Sequence, residues 1–183
     1  MLIAFFLSKF LNSHNNVIMS LNHRQGLTMA QKLNSMRILD QHKVNYTVHE
    51  FPNTIHSAVG VADQLGLPHE MVYKTLVVLP NTGKPILVII PGHRELSLKK
   101  VAKAVGQKKV QMAPHKEAER LTGLQTGGIS ALALLHKNFP IYIDQSALDL
   151  ERIVVSAGKR GVDLELPVQD LIKVTKATVI EAI

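Results

Sequence analysis

The chain has 183 residues, 46% hydrophobic and 19% charged, which suits one domain with a buried core and excludes a disordered chain. Its 21 Lys and Arg against 14 Asp and Glu leave a net charge of +7, pointing to a polyanion: nucleic acid first, an anionic membrane surface second. Cysteine is absent, which excludes disulfides, thiolate metal sites and a cysteine nucleophile supplied by the protein.

Five Phe, three Tyr and no Trp are few for a protein that stacks many bases of a single strand. The expected surface therefore grips a phosphate backbone while something smaller is recognised in a pocket. Residues 1–30 read as an N-terminal extension. Their apolar run Leu2–Leu7 is too short to span a bilayer, and no small-x-small cleavage site follows it. Met19 and Met29 are alternative starts, and peripheral membrane attachment through Leu2–Phe10 is a weaker reading. No integral membrane insertion is expected, and the expected location is cytoplasmic.

From Met29 the patterns become regular. Met29–Lys43 places Leu33, Met36 and Leu39 at helical spacing, and Val44–Phe51 alternates like a strand. Ser57 is a candidate cap for a helix over Ala58–Leu65 that closes at Gly66. Met71–Leu79 and Ile86–Ile90 are strongly apolar strands around a Gly-containing turn, a central hairpin. Ser97 opens a helix over Leu98–Val105, ending at Gly106. Val110–Met112, Ile141–Ile143 and Ile153–Val155 are further short strands, and Val168–Lys173 reads as helical; Thr178–Ile183 is ambiguous. Strands and helices mix without strict β-α-β alternation, so the fold class is α+β.

Charge is concentrated. Lys84, Arg94, Lys99, Lys100, Lys103, Lys108, Lys109, Lys116 and Arg120 face only Glu95, Glu117 and Glu119 between positions 84 and 120. A solvated helix face would explain Lys99, Lys100 and Lys103, but the concentration favours phosphate contacts that position a nucleic acid without reading its sequence. Lys74 is anomalous inside an apolar strand. It must snorkel at the strand's end or face a cavity, where partial burial lowers its pKa and makes it a useful donor or base. The Thr122–Ser130 segment, with Gly127-Gly128, is either a plain turn or a loop whose N–H groups meet an oxyanion. Ser156–Asp163 combines a flexible loop, the cations Lys159 and Arg160, and a carboxylate; an exposed turn is the plainer account. The nine histidines are dispersed, so neither a metal nor a cofactor is expected.

Four segments in order, LGLPHEMVYKTLVV, LSLKKVAKAVGQKKVQMA, TGLQTGGIS and IVVSAGKRGVDLEL, resemble the YbaK/ProX family. These are free-standing relatives of the editing domain inserted in bacterial prolyl-tRNA synthetases. The resemblance runs from about Arg37 to the C-terminus and is strongest to the branch that hydrolyses cysteinyl-tRNA(Pro). It implies an editing domain over residues 31–183, with a mixed, barrel-like β-sheet, flanking helices and a pocket at one end. It makes Lys74 the family's essential lysine and Gly127 and Gly128 the loop that receives the aminoacyl carbonyl. Asp163 matches the acidic residue that ends the GKRGxD segment. Phe51 stands where that branch usually has Tyr, while Ser57, Thr75 and Ser130 belong to the same substrate region. Lys99, Lys100, Lys103, Lys108, Lys109, Lys159 and Arg160 are then expected on the tRNA acceptor end. Prolyl-tRNA synthetase is a further possible partner. The implied reaction cleaves an aminoacyl ester in trans, with the substrate's own thiol as nucleophile in this branch and water in alanine-editing relatives. The alternatives are a non-catalytic RNA-binding or synthetase-associated module, or an editing enzyme for another amino acid such as alanine. One departure stands out: Ala131-Leu132-Ala133 replaces the usual Pro-Leu-Gly after Gly-Gly-Ile-Ser, so a less stiff loop is expected.

Overall fold

The most apolar runs of the sequence form the centre of a five-stranded sheet in the computed structural model, which describes residues 32–183. The N-terminal extension and the membrane-attachment reading lie outside the described residues, as do residues 29–31 of the helix expected over Met29–Lys43; that helix spans Asn34–Gln41, with Leu33 extended as its N-cap. Strands β2 (Tyr73–Pro80) and β3 (Ile86–Pro91) pair antiparallel as the expected hairpin. Every residue of β3 is buried, so this central strand reads as a continuous apolar run rather than an alternating one. β4 (Val110–Met112) pairs antiparallel with β2, while β5 (Ile141–Asp144) and β8 (Thr178–Ile180) extend the other side in parallel. The order is β4-β2-β3-β5-β8.

A second, antiparallel sheet has the order β1-β7-β6, from Thr47–Glu50, Val162–Pro167 and Arg152–Lys159. A parallel bridge between Val72 and Val154 joins the two sheets. The fold is thus α+β with mixed strand directions, as expected, and its two sheets are joined through the Val72–Val154 bridge.

Helices cover what the sheets leave open. Leu87, Ile89 and Ile143 of one sheet meet Ile153, Leu164 and Leu166 of the other in the main core. Met36 and Leu39 of α1 (Asn34–Gln41) join them, which the helical spacing anticipates. Each such fully buried side chain contributes roughly 1.5–3 kcal/mol. The opposite face of the larger sheet, with Val78, Val88 and Ile90, is covered by Val101 and Ala102 of α3 (Leu98–Ala104). α2 (Ala58–Leu65) packs Val61 and Ala62 on Val72 and Val154, at the bridge.

Both serine caps form. Ser57 Oγ accepts from the Gly60 N–H and Ser97 Oγ from the Lys100 N–H. Gly66 closes α2 in the left-handed region, at φ +65°.

Four features depart from expectation. α4 (His115–Thr122) and β7 were not foreseen, and α5 (Val168–Thr175) runs two residues past its expected end. The Ser156–Asp163 segment is no flexible loop. It is the end of β6, a bulge between Ser156 and Lys159, a tight tip at Arg160-Gly161 and the start of β7.

The end of the chain is stitched into the core. Buried Asp144 accepts from the N–H groups of Ala182 (2.7 Å) and Ile183 (3.2 Å), while Ser97 N–H donates to the Ala182 carbonyl. Among the described residues no helix is long and apolar enough to cross a membrane.

Candidate active site

A cavity of about 270 Å³ opens where β2, the entry to α2, the β4–α4 connection and the β6–β7 hairpin converge. Its size sits just below the roughly 300–1,000 Å³ usual for small-molecule sites, which suits an amino-acid-sized group better than a nucleotide. Phe51, Ser57, Lys74, Thr75, Gly127 and Asp163 all line it. Residues separated by more than a hundred positions thus share one wall.

Lys74 enters from an apolar strand and needs partners for its ammonium. It finds them in the carbonyls of Gly92 (2.9 Å) and Arg94 (2.8 Å), just beyond β3. Partial burial pulls its pKa below the ordinary lysine value, and Glu95 nearby opposes the shift. Two carbonyl acceptors favour the charged form, so Lys74 is built as a donor with one N–H left over, rather than as a base. Of the two roles open to it in the sequence, facing a cavity is the one the structure contains.

Gly92 makes that arrangement possible. A Cβ there would lie 2.1 Å from the Ala58 Cβ and 2.8 Å from the Val72 carbonyl oxygen. Its own N–H donates to that same Val72 oxygen at 2.7 Å. In the sequence it reads only as a strand breaker, because its neighbour Ala58 is 34 positions away.

Asp163 is 6% exposed and pairs across the strands with His49 and Ser156. Burial pushes its carboxyl up to about 7, with His49 opposing. Beside it, Glu165 accepts from His49 Nε2 and Arg152 Nε, both at 2.9 Å, and these partners, His49 first, hold its pKa below the ordinary range. Asp163, His49, Glu165 and Arg152 therefore form a line of alternating acidic and basic side chains leading outward from the cavity.

The glycine loop is a tight turn. Gly128 N–H donates to the Gln125 carbonyl at 2.8 Å, and Gly127 has φ +89° at the third position, which defines type II geometry. This corrects the expectation for Gly128: its N–H is used within the turn, and it does not line the cavity. Ser130 is also displaced from its expected role. It is buried outside the cavity, its Oγ accepting from the Ala133 N–H at 3.3 Å. Ala131 adopts φ −62° and Ala133 a negative φ, so neither position requires a proline or glycine.

Two of the seven expected phosphate contacts are otherwise engaged. Lys100 pairs with Glu181 (2.7 Å) and donates to the backbone oxygen of Ile183. Arg160 is half-buried, its Nε donating to the Thr126 carbonyl at 2.7 Å. Lys99, Lys103, Lys108, Lys109 and Lys159 are exposed. His56 and His115 line the cavity without having been foreseen, while Thr126 and Ser156, which also line it, belong to the two loop segments singled out in the sequence. His56 had a signal, since it precedes the cap residue Ser57; the others come together only through folding.

Residues 52–174 match the aminoacyl-tRNA editing domain family. The chain belongs to that family. This editing domain is 44% identical, over 79% of its own length and 89% of the relative's, to an Enterococcus faecalis protein named "Putative Cys-tRNA(Pro)/Cys-tRNA(Cys) deacylase EbsC". It is 30% identical to a proline–tRNA ligase of Staphylococcus aureus over 63% of this chain, which spans only 20% of that longer enzyme. Its fold matches a solved structure described as a "putative trans-editing enzyme for prolyl tRNA synthetase", with TM-score 0.71 and 22% identity. That match covers 86% of this chain and 98% of the other. The α+β architecture is thus the fold of editing domains.

Proposed function

We propose that the protein is a trans-acting deacylase of mischarged tRNA, with cysteinyl-tRNA(Pro) as its substrate. The observation that carries this reading is the gathering of Lys74, Gly127 and Asp163, from three separate sequence motifs, around one cavity of amino-acid size. Membership of the editing family and the likeness to a protein named as such a deacylase support it.

The bond to be broken is an activated ester, so the protein need only orient it and stabilise the oxyanion. Asp163, in its carboxylate form, holds the substrate's α-ammonium. Lys74 and the Gly127 N–H donate to the carbonyl oxygen as charge develops on it. The cysteinyl thiol gives its proton to water and attacks the carbonyl carbon. The bond to the ribose oxygen breaks, that oxygen takes a proton, and a cyclic thiolactone departs to be opened by water. The absence of cysteine from the chain leaves the substrate as the source of the thiol. Phe51, Ser57 and Thr75 shape the pocket around the side chain.

Lys99, Lys103, Lys108, Lys109 and Lys159 bind phosphates of the acceptor end. Lys108 and Lys109 lie just before β4, whose last residue, Met112, lines the cavity. Residues 31–183 are the editing domain and 1–30 an appended extension. The protein works in the cytoplasm, beside prolyl-tRNA synthetase.

The deciding experiment measures amino-acid release by the purified protein from tRNA(Pro) carrying cysteine, alanine or serine. Release of cysteine far faster than of serine is expected. Equal rates for cysteine and serine would replace thiol attack by water attack. Salt-sensitive tRNA binding with no release from any ester would leave an RNA-binding module instead.

A further inference from the structure

In a type II turn the central peptide stands on edge, its C=O on one side and its N–H on the other; flipping it gives a type I turn and exchanges the two. The turn over residues 125–128 has Thr126–Gly127 as that central peptide, and both residues line the cavity. Which side the Gly127 N–H faces is therefore a matter of what holds this one peptide.

Two charged side chains from elements far apart in sequence hold the turn, one at this central peptide and one at the peptide before it. Arg160, at the tip of the β6–β7 hairpin, donates from Nε to the Thr126 carbonyl at 2.7 Å. Glu119 of α4 accepts from the Thr126 N–H through Oε1 at 2.8 Å, and this bond, aided by the nearby Arg160 charge, keeps its pKa low. Thr126 is thus fixed at both of its backbone groups. The turn also sits directly on the hairpin: a Cβ on Gly128 would lie 2.9 Å from the Arg160 nitrogen and 3.0 Å from the Lys159 carbonyl carbon. Arg160 does not line the cavity. The peptide is trans, so with its oxygen turned to Arg160 its N–H points the opposite way. Among the described residues that N–H has no acceptor.

We propose that Arg160 is a positioning residue that locks the Thr126–Gly127 peptide with its N–H toward the cavity, as the donor that meets the aminoacyl oxyanion, while Glu119 anchors the preceding Gln125–Thr126 peptide from which the turn departs. Arg160 thereby acts through Gly127 and not by gripping tRNA phosphate. The inference rests on the deacylase reading and adds to it the device that keeps the donor aimed.

The test compares Arg160→Lys, Arg160→Gln, Glu119→Gln and Glu119→Ala in the full chain. It reads steady-state deacylation of cysteinyl-tRNA(Pro), the salt dependence of tRNA binding and the Gly127 amide resonance. Lysine keeps the cation but has no N–H at the Nε position. Both Arg160 variants are expected to lose about 10- to 100-fold in kcat, with KM and salt slope unchanged and the Gly127 resonance shifted. Glu119→Gln, which still accepts from Thr126, retains activity that Glu119→Ala loses. A raised KM and a shallower salt slope in Arg160→Gln, with Arg160→Lys behaving as wild type, would overturn the proposal in favour of a phosphate contact. If wild type released no amino acid from any ester, the deacylase reading would fail by itself. The lock would then stand or fall on whether the Gly127 resonance moves in the Arg160 variants.

Discussion

The two sheets bring opposite chemistry to the cavity. The five-stranded sheet is apolar through its centre and offers one cation, Lys74, which must borrow the backbone carbonyls of Gly92 and Arg94. The three-stranded sheet offers a graded line of charges, Asp163, His49, Glu165 and Arg152, in which each group is offset by its neighbour. A lone charge in an apolar wall has no substitute, whereas a member of a network can be weakened while the others compensate. Damage to the first sheet should therefore be felt in catalysis, while damage to the second, beyond the substrate contact of Asp163, should be spread over pH and stability.

Lys74→Ala tests the apolar side most severely. Loss of its donor should lower kcat by about 10²–10³-fold with the fold intact, measured by single-turnover deacylation beside circular dichroism. Full activity in that variant would remove Lys74 from the mechanism. Asp163→Asn tests the other side. The folded carboxyl titrates near 7 and an unfolded one near 4, so between these values the unfolded chain binds fewer protons and wild-type stability falls as pH rises. Below about 4 both states are protonated, and above about 7 the cost is constant. The Asn variant should thus gain on wild type from pH 4 to 7, by up to about 2–4 kcal/mol, and then hold level. Parallel urea-unfolding stabilities across that range would contradict this.

Gly92→Ala asks how tightly the lysine's cradle is built. Overpacking against Ala58 and the Val72 carbonyl should cost roughly 1–3 kcal/mol, read as a thermal midpoint lowered by several degrees, with activity lost along with the displaced carbonyl. An unchanged midpoint would mean that the strand end yields freely. Glu165→Gln should have the smallest effect, under about 1 kcal/mol at pH 7, since its partners are partly exposed. Its pKa is depressed in the fold, so the stability it contributes is present above the ordinary carboxylate range and fades as pH falls through the folded value. The difference from wild type should vanish in acid.

Local signals in the sequence carried far. Ser57 and Ser97 with the glycines beyond them mark α2 and α3 closely, and the runs around Lys74 mark the central hairpin, because caps and apolar runs act within a few residues. β7 was hidden by Lys159, Arg160 and Gly161, which look like a loop until the bulge at Ser156 and Lys159 is seen to bend the ladder around them. In the site, Lys74, Gly127 and Asp163 were legible from motifs, while Gly92 and Glu119 were not. Their significance lies in a close approach to Ala58 and a hydrogen bond to Thr126, which no spacing rule encodes. Ser130 and Gly128 mislead for the related reason that a motif residue can serve the loop's own packing.

The stitching of the last two residues bears on handling the protein. Asp144 is almost wholly inaccessible, and its carboxylate is answered by N–H groups of Ala182 and Ile183. A truncation that removed residues 182–183 would strip donors from a carboxyl that water cannot reach, so a change far from the cavity should be felt at the end of β5. Ile183 is seated against Lys100 and Asp144, so any shortened form is best made to retain residues 182 and 183.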